Sequence, residues 1–156
     1  VGINGKMETL RMRGIHMQTK LDHIGVAVRN LDESIRFYED VLGGKLIDRY
    51  RSETVGVESE IAVMEVSGHR TELLSPTNNT TSPIARFLRQ KGKGVHHIAY
   101  RVVDLEVALE DLKNRGIRIL EETYRINKHG RRLVYLNPAD TEGTIIEYCD
   151  YPEQQQ

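Results

Sequence analysis

Two stretches of this chain lie over one another: "DHIGVAVRNLDESIRFYEDVLG", residues 22–43, and "HHIAYRVVDLEVALEDLKNRGI", residues 96–117. At an offset of 74 residues His23 falls on His97, Ile24 on Ile98, Val28 on Val102, Leu31 on Leu105 and Ile35 on Leu109. Each stretch opens as an alternating strand, since successive side chains of a strand point to opposite faces. Ile24, Val26 and Val28, or Ile98, Tyr100 and Val102, form the apolar face. His23, Gly25 and Ala27, or His97 and Ala99, form the other, which carries one histidine and then only small residues. Apolar residues at helical spacing follow: Leu31, Ile35, Tyr38 and Leu42, stopped by Gly43 and Gly44, then Leu105, Ala108, Leu109 and Leu112, stopped by Gly116. The chain reads as two copies of one unit.

Three short strands complete each copy. They are "KLIDRY", "ESEIAVMEV" and "RTELL" in the first, and "RIL", "RLVYL" and "GTIIEYC" in the second. Between the copies "SPIARFLRQKG" predicts a helix over 82–92, with Ser82 as N-cap and Pro83 at the first helical position. The expected fold is α+β: two paired βαβββ modules, 21–75 and 94–151, each giving half of a curved, half-open, barrel-like sheet. The apolar strand face should pack on the helices and leave the histidine face open to a metal cleft. Residues 1–20 and 152–156 are polar without periodicity and read as a flexible N-terminal segment and a tail.

A length of 156 residues suits one domain, and 38% hydrophobic with 29% charged residues at net charge −1 describes a soluble globular chain. No basic stripe with interleaved aromatics points to nucleic acid, and no apolar run approaches the roughly 20 residues of a membrane span. The lone Cys149 excludes an internal disulfide framework and fits a reducing compartment. With no apolar signal core in the opening segment, the expected location is cytoplasmic and the expected partner a small polar molecule.

The spacing from His23 to Glu72 is 49 residues, and from His97 to Glu147 it is 50. Each histidine opens its unit's first strand, and each glutamate lies in the last strand between less polar neighbours. A lone strand histidine is more often a hydrogen-bonded core residue, and a lone strand glutamate is usually solvent-facing. The same pair at the same place in both copies outweighs that reading, because a carboxylate in such a strand is costly to bury unless paired or metal-bound. Two imidazoles and two carboxylates, His23, Glu72, His97 and Glu147, would then converge on one divalent ion. The absence of thiolate argues for an open site holding cobalt, nickel, manganese, iron or zinc. Register assigns His97 to the cleft and His96 to the opposite face with a structural role. His16, His69 and His129 lie in polar stretches and read as surface residues.

These motifs, with "SIRFYEDVLG", "TELLSP", "GKGVHHIAYRV" and "GTIIEY", resemble the vicinal oxygen chelate (glyoxalase/bleomycin resistance/dioxygenase) superfamily over residues 22–151. "SPIARFL" leading into "GVHHIAYRV" is most similar to the methylmalonyl-CoA epimerases within it. The resemblance implies a homodimer that epimerises a 2-acyl-CoA such as methylmalonyl-CoA, using a divalent ion, cobalt by likeness. The ligands it implies are His23, Glu72, His97 and Glu147. It further implies that two carboxylates flank the α-carbon: Glu147, and Glu60 in "EIAVM", with Glu58 as the alternative on the same strand face. Coenzyme A phosphates would meet Arg86, Arg89, Lys91 and Lys93, residues that a solvated helix face explains equally well. The loop "NKHGRRLVYLNP" departs from the family, placing Lys128, His129, Arg131 and Arg132 where small residues are usual. The competing readings are a glyoxalase I-like lyase acting on a glutathione hemithioacetal, and a non-catalytic drug-binding module, which generally lacks the metal ligands. An extradiol dioxygenase fits less well, since it uses two histidines and one carboxylate in a longer chain.

Overall fold

The structure, a computed structural model, describes residues 2–12 and 19–155. In chain order its elements are α1 (Ile3–Met12), β1 (Lys20–Ala27), α2 (Leu31–Asp40), β2 (Lys45–Ser52), β3 (Ser59–Val66) and β4 (His69–Pro76). Then come α3 (Pro83–Lys91), β5 (Gly94–Arg101), α4 (Leu105–Asn114), β6 (Ile119–Ile126), β7 (Arg132–Leu136) and β8 (Ile146–Asp150). The class is α+β, as the repeat requires, and no described helix is long and apolar enough to cross a membrane. Two compact units result: one spans Asp22–Ile98, and the other runs from Ala99 onward together with the opening segment.

In the first unit the strand order is β2-β3-β4-β1. β1 lies parallel to β4, with Gly25 opposite Glu72, while β4, β3 and β2 pair antiparallel. The Asn30 side chain caps α2 by accepting the Glu33 N–H at 3.1 Å. Leu31 and Ile35, one helical turn apart, bury against Val28, Ala62, Met64 and Leu73. Burying a side chain such as Leu73 contributes roughly 1.5–3 kcal/mol.

The other face of these strands departs from expectation. Ala27, Ile61, Val63 and Leu74 form a second core with Ile84 and Leu88 of α3, so the face carrying His23 is roofed at its Ala27 end. Ile84 and Leu88 stand four residues apart on one stripe of α3 and need an apolar surface to cover. The small Ala27 lets the helix come close. As expected, α3 begins at Ser82, whose hydroxyl accepts the N–H groups of Ile84 and Ala85 at 3.2 and 3.4 Å.

The second unit repeats the plan. Asp104 caps α4 through the Val107 N–H at 3.2 Å. The Val102 N–H donates to the Cys149 carbonyl at 2.8 Å, matching the bond from Val28 to Leu74 at 2.9 Å in the first unit. Val102, Leu105, Ala108 and Val134 form the core beneath α4, and Leu133, Cys149 and Tyr151 cluster on the opposite face. Within the opening segment, expected to be flexible and without periodicity, Ile3–Met12 are helical, and Ile3, Met7 and Leu10 do stand at helical spacing. α1 packs on α4 and is tied to it by an ion pair between Lys6 and Asp104. His16 lies outside the described residues.

Candidate metal centre

Three of the expected ligands meet inside the first unit. His23, Glu72 and His97 are 1%, 6% and 2% exposed, and one donor atom from each lies within 4.8 Å of the others. His23 Nε2 stands 3.1 Å from His97 Nε2 and 3.2 Å from Glu72 Oε2. The sheet register makes this possible: Glu72 lies across from Gly25, and His23 is two residues before Gly25 on the same face. The His97 ring covers Gly25 itself, since a Cβ there would fall 2.1 Å from His97 Cε1. A glycine is required because the imidazole occupies the space of a side chain.

Each ring is held from behind. His23 Nδ1 is 2.7 Å from Asp22 Oδ2, which fixes the proton on Nδ1 and turns the Nε2 lone pair inward. His97 Nδ1 is 2.9 Å from His96 Nδ1, and the His96 ring stands edge-on to Phe87 with centroids 4.9 Å apart. Burial along β5 alternates as expected, with His97 and Ala99 buried and His96 and Ile98 half-buried. The structural role of His96 is thus specific: one N–H shared between the Nδ1 atoms orients His97.

Two inward imidazole nitrogens stand 3.1 Å apart beside a carboxylate. An N–H on one ring can bridge them, and so can a divalent cation, for which two nitrogens and an oxygen are ordinary ligands. The donor set therefore fits a metal, and the absence of thiolate sets it apart from closed cysteine-rich zinc sites.

Glu147, 1% exposed, belongs to the second unit. It lies across from Tyr135, and its Oε1 is 3.6 Å from Nε of the buried Arg131. Burial pushes the Tyr135 phenol well above its ordinary pKa; the charge of Glu147 adds to the rise, and Arg125 and Arg131 oppose it.

Glu60 sits on the wrong face for the catalytic role expected of it. Alternation along β3 groups it with Ala62 and Met64, which pack beneath α2, whereas Ile61 and Val63 share the face of Leu74 and Glu72. Its carboxylate accepts the Arg49 Nε–H at 2.8 Å, and Arg49 also pairs with Asp32 of α2 at 2.6 Å. Nor does Glu58 share that face. Its φ of +39° places it in a turn before β3, where the Thr81 hydroxyl donates to its carboxylate, beside the start of α3. His69, His129, Arg86, Arg89, Lys91 and Lys93 are all exposed.

Sequence reasoning missed Asp22 and Tyr135, and singled out Arg131 only as part of the loop that departs from the family. The signals were present: an acidic residue directly before a candidate ligand, and period-two spacing from Arg131 through Leu133 to Tyr135.

Residues 22–135 match the Glyoxalase/Bleomycin resistance protein/Dioxygenase superfamily, and the chain belongs to it. The mitochondrial methylmalonyl-CoA epimerase of Bos taurus is 36% identical over 129 residues, covering 82% of this chain and 72% of that one. The crystal structure of methylmalonyl-CoA epimerase from Mycobacterium tuberculosis superposes with a TM-score of 0.76 at 33% identity, over 83% of this chain and 86% of the other. A methylmalonyl-CoA epimerase in complex with methylmalonyl-CoA and NH4+ gives a TM-score of 0.75 at 30% identity, over 85% and 94%.

Proposed function

We propose that this chain is a metal-dependent epimerase of methylmalonyl-CoA or a closely related 2-acyl-CoA. The observation that carries the reading is the buried His23–Glu72–His97 group, in a chain similar to enzymes of that activity. These three residues would hold the ion, and the repeat register assigns Glu147 as a fourth ligand. Cobalt, zinc, nickel, manganese and iron all suit the donor set. A divalent ion bound there supplies Lewis-acid stabilisation of the negative charge that develops on substrate oxygens.

The chain's own residues supply the proton chemistry. One carboxylate removes the α-proton and a second returns a proton to the other face, each acting as base or acid according to the direction of turnover. Glu147 takes one role. Glu58 takes the other in place of Glu60, because it lies beside α3, the helix that packs on the face bearing Glu72 and Leu74. Asp22 and His96 hold the two imidazoles in the tautomers that ligation needs. The exposed Arg86, Arg89, Lys91 and Lys93 are assigned to coenzyme A phosphates. By likeness to the family the protein is assigned as a homodimer, and the lone Cys149 fits a reducing compartment such as the cytoplasm.

The test is metal analysis together with α-proton exchange into deuterated water, followed by NMR on metal-loaded protein with methylmalonyl-CoA. Exchange that depends on the metal is expected. Turnover of a glutathione hemithioacetal without acyl-CoA exchange would replace this reading with the lyase, and tight drug binding by metal-free protein would replace it with a binding module.

A further inference from the structure

Asp22 and His96 occupy the same slot of the two repeats, 74 residues apart, and each backs the imidazole that follows it. As partners they differ. A carboxylate accepts on either oxygen, so Asp22 can serve His23 Nδ1 whichever way it turns, whereas a neutral histidine accepts on one ring nitrogen only. His97 offers its Nε2 lone pair only when its proton sits on Nδ1, and His96 Nδ1, 2.9 Å away, must then be the acceptor. Turned over about its Cβ–Cγ bond, the His96 ring would present a C–H to that proton instead.

A further ring lies against His96. Phe87 of α3 stands edge-on to it, with centroids 4.9 Å apart and planes at 77°. From His96 to His97 and from His97 to His23 the centroids are each 5.2 Å apart, at 89° and 90°. Four rings thus run from α3 to the candidate ligands, each close to perpendicular to the next, an arrangement that ring quadrupoles favour. The Phe87 ring is itself anchored. It is half-buried and packs on the core that Ile84 and Leu88 form with Ala27, Ile61, Val63 and Leu74. Ser82 caps the start of α3, and near its end Arg29 Nη2 donates to the Leu88 carbonyl at 3.4 Å.

We propose that Phe87 is a positioning residue for the metal centre: it holds the His96 ring with Nδ1 toward His97, and so keeps His97 in the tautomer that ligation needs. This rests on the metal-centre reading above. The edge-on contact restricts rotation of the His96 ring, because turning it over sweeps through space that the Phe87 ring borders. An aliphatic side chain of similar size would still cover the α3 core but would offer the imidazole no aromatic ring. Packing and positioning are therefore separable at this residue.

The test is zinc affinity by calorimetry on the full chain as wild type, F87L, F87Y, H96A and the double variant F87L/H96A. F87L should bind zinc about 10-fold more weakly, the low end of what partners of a ligating imidazole carry, while F87Y, which keeps the ring, stays within about 2-fold of wild type. Since Phe87 acts through His96, F87L should cost nothing further once His96 is alanine. Imidazole 15N NMR supplies a signature that a packing role would not move. In zinc-loaded wild type His96 should carry its proton on Nε2 alone, and in F87L both tautomers should appear. The proposal is overturned by equal zinc affinity in F87L, by a loss that adds to that of H96A, or by a wild-type His96 protonated at Nδ1. Should F87L fail to fold by circular dichroism, F87M, which fills the space without a ring, takes its place, and the wild-type 15N spectrum still decides. A wild type that binds no zinc would sink the metal reading and this inference together, whereas zinc binding indifferent to Phe87 sinks this inference alone.

Discussion

Glu72 and Glu147 occupy the same slot in the two repeats, yet different chemistry neutralises them. Across from Glu72 stands Val63, and across from Glu147 stands Tyr135. Two residues before each are Ile61 and Leu133, and four before are Ser59 and Arg131. Ser59 turns its hydroxyl onto the Val57 carbonyl at 2.7 Å and leaves Glu72 to His23. Arg131 brings a full charge to Glu147. Neutral histidine is itself a ligand and can share a carboxylate with a metal ion, whereas a guanidinium neither ligates nor loses its proton. One framework thus yields a carboxylate built to share an ion and another that arrives with its own cation.

The strongest way to break the first half of that contrast is His97→Ala. Loss of Nε2 beside His23 should lower divalent-metal affinity by at least about 100-fold, read by calorimetric titration, because the ring is a direct donor. Unchanged affinity would remove the first unit from consideration as the metal centre. Gly25→Ala tests the same ring without touching a ligand. Its Cβ would enter His97 at 2.1 Å from Cε1, so the imidazole must move. Stability should fall by about 1–3 kcal/mol in thermal unfolding, with weakened metal binding in the same protein. Asp22→Asn should act more mildly. An amide holds the His23 Nδ1–H less firmly than a carboxylate does, and metal affinity should drop by about 10-fold. A loss as large as that of His97→Ala would mean that Asp22 itself binds the ion.

The meeting of His23, Glu72 and His97 was legible because it depends on two simple periods: alternation within a strand and the 74-residue offset between repeats. Other features depend on contacts that neither period records. Which face α3 covers is decided by where Ile84 and Leu88 find a matching surface, and the sequence of the helix alone does not name it. α1 carries Ile3, Met7 and Leu10 at helical spacing, a short signal among polar residues, but its ion pair with Asp104, 98 residues away, leaves no mark on either local pattern. The entry to β3 failed for a backbone reason. Counting by two equates the faces of Glu58 and Glu60, but the left-handed Glu58 belongs to the preceding turn.

That backbone detail yields the smallest expected effect. Glu60 and Glu58 are two residues apart, and the sequence alone favours Glu60 as the proton-transferring carboxylate. In the structure Glu60 faces α2, its side chain is 32% exposed, and its partner is Arg49, itself 37% exposed. An exposed pair of this kind contributes about 0.2–1 kcal/mol, and Arg49 retains Asp32 as a second partner. Glu60→Gln should therefore leave metal content unchanged, α-proton exchange within about 2-fold of wild type, and stability lowered by no more than that pair's worth. Glu58→Gln, which removes the carboxylate beside α3, should instead stop exchange while metal content stays intact, because an amide cannot serve as a base. If Glu60→Gln stops exchange and Glu58→Gln does not, the face assignment along β3 is reversed, and with it the grouping of Ile61 and Val63 with Glu72.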